Sequence, residues 1–258
     1  MKKAASYPLL AGGKRFRPFL TLFVAQGVGS CDLALDAALA TEYFHTASLV
    51  VDDLPCMDDE KQRRGKETTH IKFGEATTLL VSYALIGGAY TLLARNLDAL
   101  PPARRAEISH LVIECAAHTT GIFGATGGQY YDLFPREQST DEILRVLRLK
   151  TASLFEQAFL FGWLFGGGDP CQASRVKQAA IHYGIAFQIA DDLADSEEDL
   201  KQGSKANLAL LMGVENAMQM FHVETSAFRS LFMELGIEKT LVGLMVSKLE
   251  QHLSVQYQ

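Results

Sequence analysis

Apolar residues recur along this chain at intervals of three and four, with little strand-like alternation, so the pattern predicts helices almost throughout. Leu33 to Val51, Ala76 to Asn96, Arg104 to His118, Thr140 to Phe165 and Arg175 to Asp192 each read as one helix. The last 45 residues predict two or three more, broken near Gly213 and Gly236. Asp98 to Pro102 and Gly166 to Pro170 read as turns between helices. No repeat, low-complexity tract or long linker interrupts them. The expectation is an all-α fold: a single large helical bundle around a central apolar cavity, one domain over residues 1–258.

Composition narrows the classes. With 258 residues, 48% of them hydrophobic, the chain is long enough for a large core. A net charge of −6 without a basic stripe argues against a general nucleic-acid binder. Cys31, Cys56, Cys115 and Cys171 have no paired spacing, which predicts reduced thiols in a cytoplasmic protein. The apolar run after Lys3 is too short for a signal peptide and meets Lys14, Arg15 and Arg17 at once. Ala76 to Ala94 carries no charge over 19 residues, close to a bilayer span. Thr77, Thr78, Ser82 and Gly87-Gly88 within it favour a buried core helix and no membrane span.

Two aspartate clusters then dominate. The first is Asp52-Asp53 with Asp58-Asp59, followed by Arg63-Arg64; the second is Gln188 with Asp191-Asp192 and Asp195. Pro55 should end the first helix, and the break would let Asp52 and Asp58, six apart, meet on a metal. On a helix, Asp191 and Asp195 share a face with Gln188 and Asp192 close by. Taken singly, each has a bland reading: an acidic loop neutralised by Arg63 and Arg64, or a solvated helix end running into Glu197, Glu198 and Asp199. Two in one chain weaken both. All-oxygen clusters favour hard ions, above all Mg²⁺, and two facing one cavity would hold a diphosphate between them. Cys56, a poor Mg²⁺ ligand, reads as packing.

Weaker elements fit the same chemistry. Gly12-Gly13-Lys14-Arg15-Phe16-Arg17 joins paired glycines to three cations and suits a phosphate, although it lacks the rest of a P-loop and in isolation reads as a basic loop. Gly127 to Asp132 places an amide and a carboxylate after a buried helix. Lys150-Thr151 sits in an apolar helix, where a lysine ordinarily snorkels to solvent. His45 lies two turns before Asp52, and a lone histidine is more often a satisfied core residue.

Together, HTASLVVDDLPCMDDEKQRRG, then KT, then FQIADDLAD resemble the trans-isoprenyl diphosphate synthases, or polyprenyl synthetases, in the family's order from Tyr7 to about Leu211. The two residues inserted between the aspartate pairs resemble bacterial and plant geranylgeranyl diphosphate synthases and bacterial farnesyl diphosphate synthases. The resemblance implies the isoprenoid synthase fold and a short-chain trans-prenyltransferase. An allylic diphosphate (dimethylallyl, geranyl or farnesyl) ionises, the double bond of isopentenyl diphosphate attacks, and proton loss restores an alkene. It implies Mg²⁺, three ions per active site with Mn²⁺ able to substitute, and a homodimer. By the same analogy Asp52, Asp58 and Asp191 bind metal, with Asp53, Asp192 and Asp195 supporting. Arg63, Lys150, Thr151, Gln188 and Lys205 hold the allylic diphosphate; Lys14, Arg17, His45 and Arg64 hold isopentenyl diphosphate.

Helix geometry sets an expectation for product length. Ser48 and Ala47 stand about 6 and about 7.5 Å back from Asp52 along the helix, and Phe44 about 12 Å back. Farnesyl-producing relatives tend to place an aromatic at the first two. Small residues there leave room for another C5 unit above a Phe44 floor, so the expected product is geranylgeranyl diphosphate (C20). Farnesyl diphosphate (C15) synthesis and a non-catalytic regulatory subunit are the alternatives, the latter disfavoured by two complete clusters. A di-iron bundle would need a second copy of the Glu42-x-x-His45 spacing, which is absent. Relatives usually carry a helix before the GGKRxRP-like motif, where eleven residues stand here, and a longer Asp195–Lys205 loop with a second diphosphate lysine, a place Lys201 would take.

Overall fold

The computed structural model describes residues 1–137, 139–202 and 207–256. Among these the chain forms α1 Lys2–Leu9, α2 Phe16–Val28, α3 Leu35–Asp52, α4 Thr69–Phe73, α5 Glu75–Asp98, α6 Pro102–Thr120, α7 Ala125–Leu133, α8 Thr140–Val146, α9 Ser153–Phe165, α10 Ala173–Gln202, α11 Leu208–Met212, α12 Val214–Glu234 and α13 Leu241–Gln256. A two-residue hairpin, β1 Gln62–Arg63 and β2 Lys66–Glu67, pairs Gln62 with Glu67 and Arg63 with Lys66.

The predicted helices stand, with informative differences. The stretch from Thr140 to Phe165 is not one α-helix: a wider π turn, Leu147–Ala152, separates α8 from α9. α10 does not stop at Asp192 but carries the second aspartate cluster in its interior and runs to Gln202. Gly127 to Asp132 forms a helix of its own, α7. The residues before the glycine pair form the short α1, packed on α3, α4 and α5.

α9 is the axis of the bundle. Its sequence is apolar on every side, so it must be enclosed on every side, and all thirteen of its residues are buried. α2, α3, α6 and α10 surround it. At Gly162 an added Cβ would stand 2.4 Å from the Thr21 carbonyl oxygen, so α2 can lie this close only against glycine. Phe159, Tyr183, Phe228 and Phe232 lock α9, α10 and α12, with Phe228 and Phe232 only 4.1 Å apart between centroids. Burying one such ring stabilises the fold by about 2–3 kcal/mol.

α5 packs on α3 through Val81, Leu85, Ala89 and Leu93. Buried Asn96 fixes their register, donating to the Leu33 carbonyl at 2.5 Å and accepting the Ala37 N–H at 2.7 Å. The core reading of α5 holds for this face only, because Leu79, Leu80 and Tyr83 are exposed. It is the one helix among the described residues long and apolar enough to cross a membrane.

Candidate active site

α3 delivers the first aspartate cluster. Asp52 is its last residue, and Pro55, which has no N–H to continue the helix, follows in a turn. The chain folds straight back: the Asp58 N–H donates to the Asp52 carbonyl at 2.9 Å and the Asp59 N–H to that of Leu54 at 3.1 Å. Asp52 and Asp58 thus become neighbours, as the break predicted. Asp53 is buried and accepts from Arg63 Nε at 2.5 Å, whereas Asp59 is exposed and pairs with Lys61. Cys56 is exposed in the turn and does not pack, because the loop points its short side chain outward. Burial pushes the Asp52 carboxyl up to about 6; Lys150 and Arg63 oppose the shift, and Asp58 and Asp53 add to it. Burial also raises Asp53, against the pull of Arg63.

The π turn brings a cation, Lys150, to these carboxylates. Lys150 Nζ donates to Asp132 Oδ2 at 2.5 Å. Burial alone would lower its pKa, but Asp132, Asp52 and Asp58 outweigh that and raise it. α7 approaches so closely that a Cβ on Gly128 would stand 2.2 Å from the Lys150 backbone nitrogen. Also from α7, Gln129 Nε2 donates to Asp58 Oδ1 at 3.4 Å. On α10, Gln188 Oε1 accepts from the Thr151 hydroxyl at 3.4 Å, and Gln188 Nε2 donates to Asp192 Oδ1 at 2.8 Å. Asp192 is buried and also anchors α11: its Oδ2 accepts the Leu208 N–H at 2.9 Å and its carbonyl accepts from Asn207 Nδ2 at 2.7 Å. Asp191 and Asp195 are exposed on α10. Lys150, Thr151, Gln188, Asp132 and Asp192 border a cavity of about 570 Å³.

The predicted phosphate loop gathers beside them. Gly12 and Gly13 have φ of 95° and 107°, so glycine is required there. Arg17 lies 4.5 Å above the Phe155 ring and donates to His45 Nε2 at 3.4 Å, which places the His45 proton on Nδ1. Burial, with Arg17 and Arg64 nearby, holds His45 well below its ordinary pKa and hence neutral. Burial pushes Arg17 down to about 10, against the opposing charge of Glu42. Arg64 donates to the Gly12 carbonyl at 2.6 Å, and Lys14 is exposed. Lys205 lies outside the described residues, as does the side chain of Lys201.

Sequence reasoning undervalued two residues. Asp132 was visible as a carboxylate without a partner, and Lys150 supplies it. Glu42, weighed above only as an iron ligand, is buried against Arg15 and Arg64.

A second, largely apolar cavity of about 330 Å³ is lined from α3 by Asp52, Ser48, Ala47 and Phe44, with Ile86 of α5 and Thr120 of α6. Ser82 of α5 donates to the Ala47 carbonyl at 3.0 Å and holds its wall.

The donor set fits a hard divalent cation. It is all oxygen, and the raised Asp52 carboxyl is a buried charge that its neighbouring cations leave incompletely compensated. Mg²⁺ ordinarily takes one or two carboxylates and completes its shell with water and substrate phosphate oxygens.

Comparison with known proteins agrees. The polyprenyl synthetase family profile matches residues 1–209. The chain is 38% identical over 237 residues to the mitochondrial geranylgeranyl pyrophosphate synthase 6 of Arabidopsis thaliana, covering 84% of this chain and 69% of that one. It is 35% identical to the farnesyl diphosphate synthase of Geobacillus stearothermophilus, covering 88% and 80%. The solved structure of a geranyltranstransferase from Thermotoga maritima superposes with a TM-score of 0.79 at 28% identity, over 98% of this chain and 89% of that one. Motifs, cavity and likeness converge, and the chain belongs to the polyprenyl synthetase family.

Proposed function

We propose that this trans-prenyltransferase condenses isopentenyl diphosphate with an allylic diphosphate, as one domain over residues 1–258, to give geranylgeranyl diphosphate. The observation that carries the chain length is the apolar cavity lined along α3 by Asp52, the small Ser48 and Ala47, and Phe44, which we take as its floor. Lys150, Thr151, Gln188 and Arg63, with Lys205, hold the allylic diphosphate. Asp52 and Asp58 from one side and Asp191 from the other hold Mg²⁺, three ions per site, with Mn²⁺ as a substitute. When bound, the metal supplies Lewis acidity that stabilises charge on the departing diphosphate.

Lys14, Arg17, His45 and Arg64 orient isopentenyl diphosphate so that its double bond faces the allylic carbon. Neutral His45 donates from Nδ1 or accepts at Nε2 without adding charge. The cavity walls keep water from the allylic cation. The released diphosphate takes the proton, so no protein general base is required.

The exposed stripe Leu79, Leu80 and Tyr83 on α5 supports a homodimer packed helix against helix. Four unpaired cysteines fit a cytoplasmic setting. The test is a product assay: purified protein with Mg²⁺, isopentenyl diphosphate and each of dimethylallyl, geranyl and farnesyl diphosphate, with EDTA as control. A metal-dependent C20 product is expected. C15 alone would keep the reaction and move the floor towards Ser48; no condensation with any primer would overturn the reading.

A further inference from the structure

We propose that Glu42 is a positioning residue that divides the cations of the isopentenyl diphosphate half of the site into structural and ligand-binding groups. The inference rests on the functional reading above. Arg15, Arg17, Arg63 and Arg64 crowd one corner around His45, and unpaired they would repel one another. Asp53 takes Arg63. Glu42, 6% exposed on α3, takes Arg15 directly and stands 3.8 Å from Arg64, with the Thr46 hydroxyl donating to the same carboxylate oxygen at 3.4 Å.

Arg15 is bent to this task. Its φ of 51° lies in the left-handed region that side-chain-bearing residues rarely adopt. From there its guanidinium reaches Glu42 with one nitrogen and the Leu9 carbonyl at the end of α1 with another. Arg15 is therefore committed to the protein. Arg64 is shared: Glu42 stands behind it while Nη1 clamps the Gly12 carbonyl, and its guanidinium fills the space a Gly13 side chain would need. Among the described residues neither Arg17 nor Lys14 makes an ion pair within 4.0 Å, and Arg17 Nε and His45 Nδ1 are buried without a partner. A diphosphate supplies what those groups lack. Glu42 thus fixes the glycine loop, the Arg63–Arg64 turn and α1 to the helix that ends at Asp52.

Two effects of removing the carboxylate have opposite signs, which makes the idea testable. Without Glu42 the corner is more positive, and electrostatics alone would tighten diphosphate binding. If positioning dominates, Arg64 and the loop lose their anchor and binding weakens. The experiment is calorimetric titration of wild type and Glu42→Gln with isopentenyl diphosphate in EDTA, where only the metal-free half binds. Steady-state KM for both substrates is measured in parallel with Mg²⁺. The expected result is Kd and KM for isopentenyl diphosphate raised about tenfold with the allylic KM unchanged. Tighter or equal binding by the variant overturns the inference, as does a uniform loss for both substrates with a lowered melting temperature. Should Glu42→Gln not fold, Glu42→Asp carries the same comparison, since it keeps the charge but withdraws its oxygens by one methylene. If the wild type binds isopentenyl diphosphate but condenses nothing, the functional reading fails while the Kd ratio still decides the role of Glu42. A wild type that binds none overturns both.

Discussion

The Phe44 ring stands edge-on to that of Tyr90, with centroids 5.3 Å apart and planes at 84°. Phe44 lines the apolar cavity from α3, Tyr90 on α5 backs it through this contact, and Thr120 of α6 lines the same cavity. Three helices thus meet at the floor. Phe44→Ala should open it and shift product beyond C20. Ala47→Tyr should fill the cavity above it and shift product to C15. Chromatography of the products with each primer reads both, and an unchanged profile in Ala47→Tyr would sink the open-cavity account.

Asp52 trades stability for chemistry. Its carboxyl titrates near 6 in the folded protein, against 3.8 ordinarily. Between those values the folded state holds a proton that the unfolded state has lost, so stability falls as pH rises through the window and the cost is complete above about 6. Asp52→Asn removes that cost, about 3 kcal/mol at neutral pH. In EDTA the variant should melt higher than wild type at pH 7.5, with the difference vanishing near pH 4. In Mg²⁺ its condensation rate should fall by about 100-fold or more. Equal melting temperatures at pH 7.5 would show that Asp52 is already compensated.

Lys150 and Asp132 form a pair in which each side chain is 28% exposed. Lys150→Met strands Asp132 beside Asp52 and Asp58, and losing one partner of a largely buried pair destabilises strongly. Asp132→Asn added to it should recover part of the melting temperature, because it removes the stranded charge, without restoring the affinity for allylic diphosphate. A thermal double-mutant cycle reads the coupling, and strictly additive losses would contradict it.

Gly128→Ala places a methyl group against the Lys150 backbone. Neither helix backbone can yield locally, so α7 must shift, at a cost of about 1–3 kcal/mol. Gln129 and Asp132 move with α7, so the allylic KM should rise together with the loss of stability. A variant with wild-type kinetics would show that α7 is not held to this position.

Tyr83→Lys with Leu80→Lys puts two charges on the outward stripe of α5 and should convert a dimer to a monomer in light scattering after size exclusion. A monomeric wild type would remove the dimer from the account.

Much of this is legible in the sequence alone. Helical periodicity locates α3, α5, α6 and α10, because each buries apolar residues at intervals of three and four. Pro55 announced the end of α3, and the aspartate clusters announced the site. The π turn is not legible, since Leu147 to Ala152 is as helix-compatible as its neighbours and what distinguishes it is tertiary, the packing of α7 and α10 against it. The end of α10 was misplaced because Asp191 to Asp199 looks like a solvated terminus, whereas Asp192 is buried against α11. Which arginine binds the protein and which a ligand depends on Glu42 lying between them, a relation between segments that no local pattern encodes.

The widened turn at Leu147–Ala152 also bears on engineering. A π turn closes i→i+5 rather than i→i+4 bonds, one residue more in each ring. Deleting one residue between Leu147 and Ala152 would give an unbroken helix from Thr140 to Phe165, the very helix that the hydrophobic pattern suggests. It would also rotate Lys150 and Thr151 by about 100° against α9, so that the two could no longer both face the cavity. The deletant should therefore lose the Lys150–Asp132 pair and be the poorer catalyst, so this one surplus residue is what turns a structural helix into a substrate site.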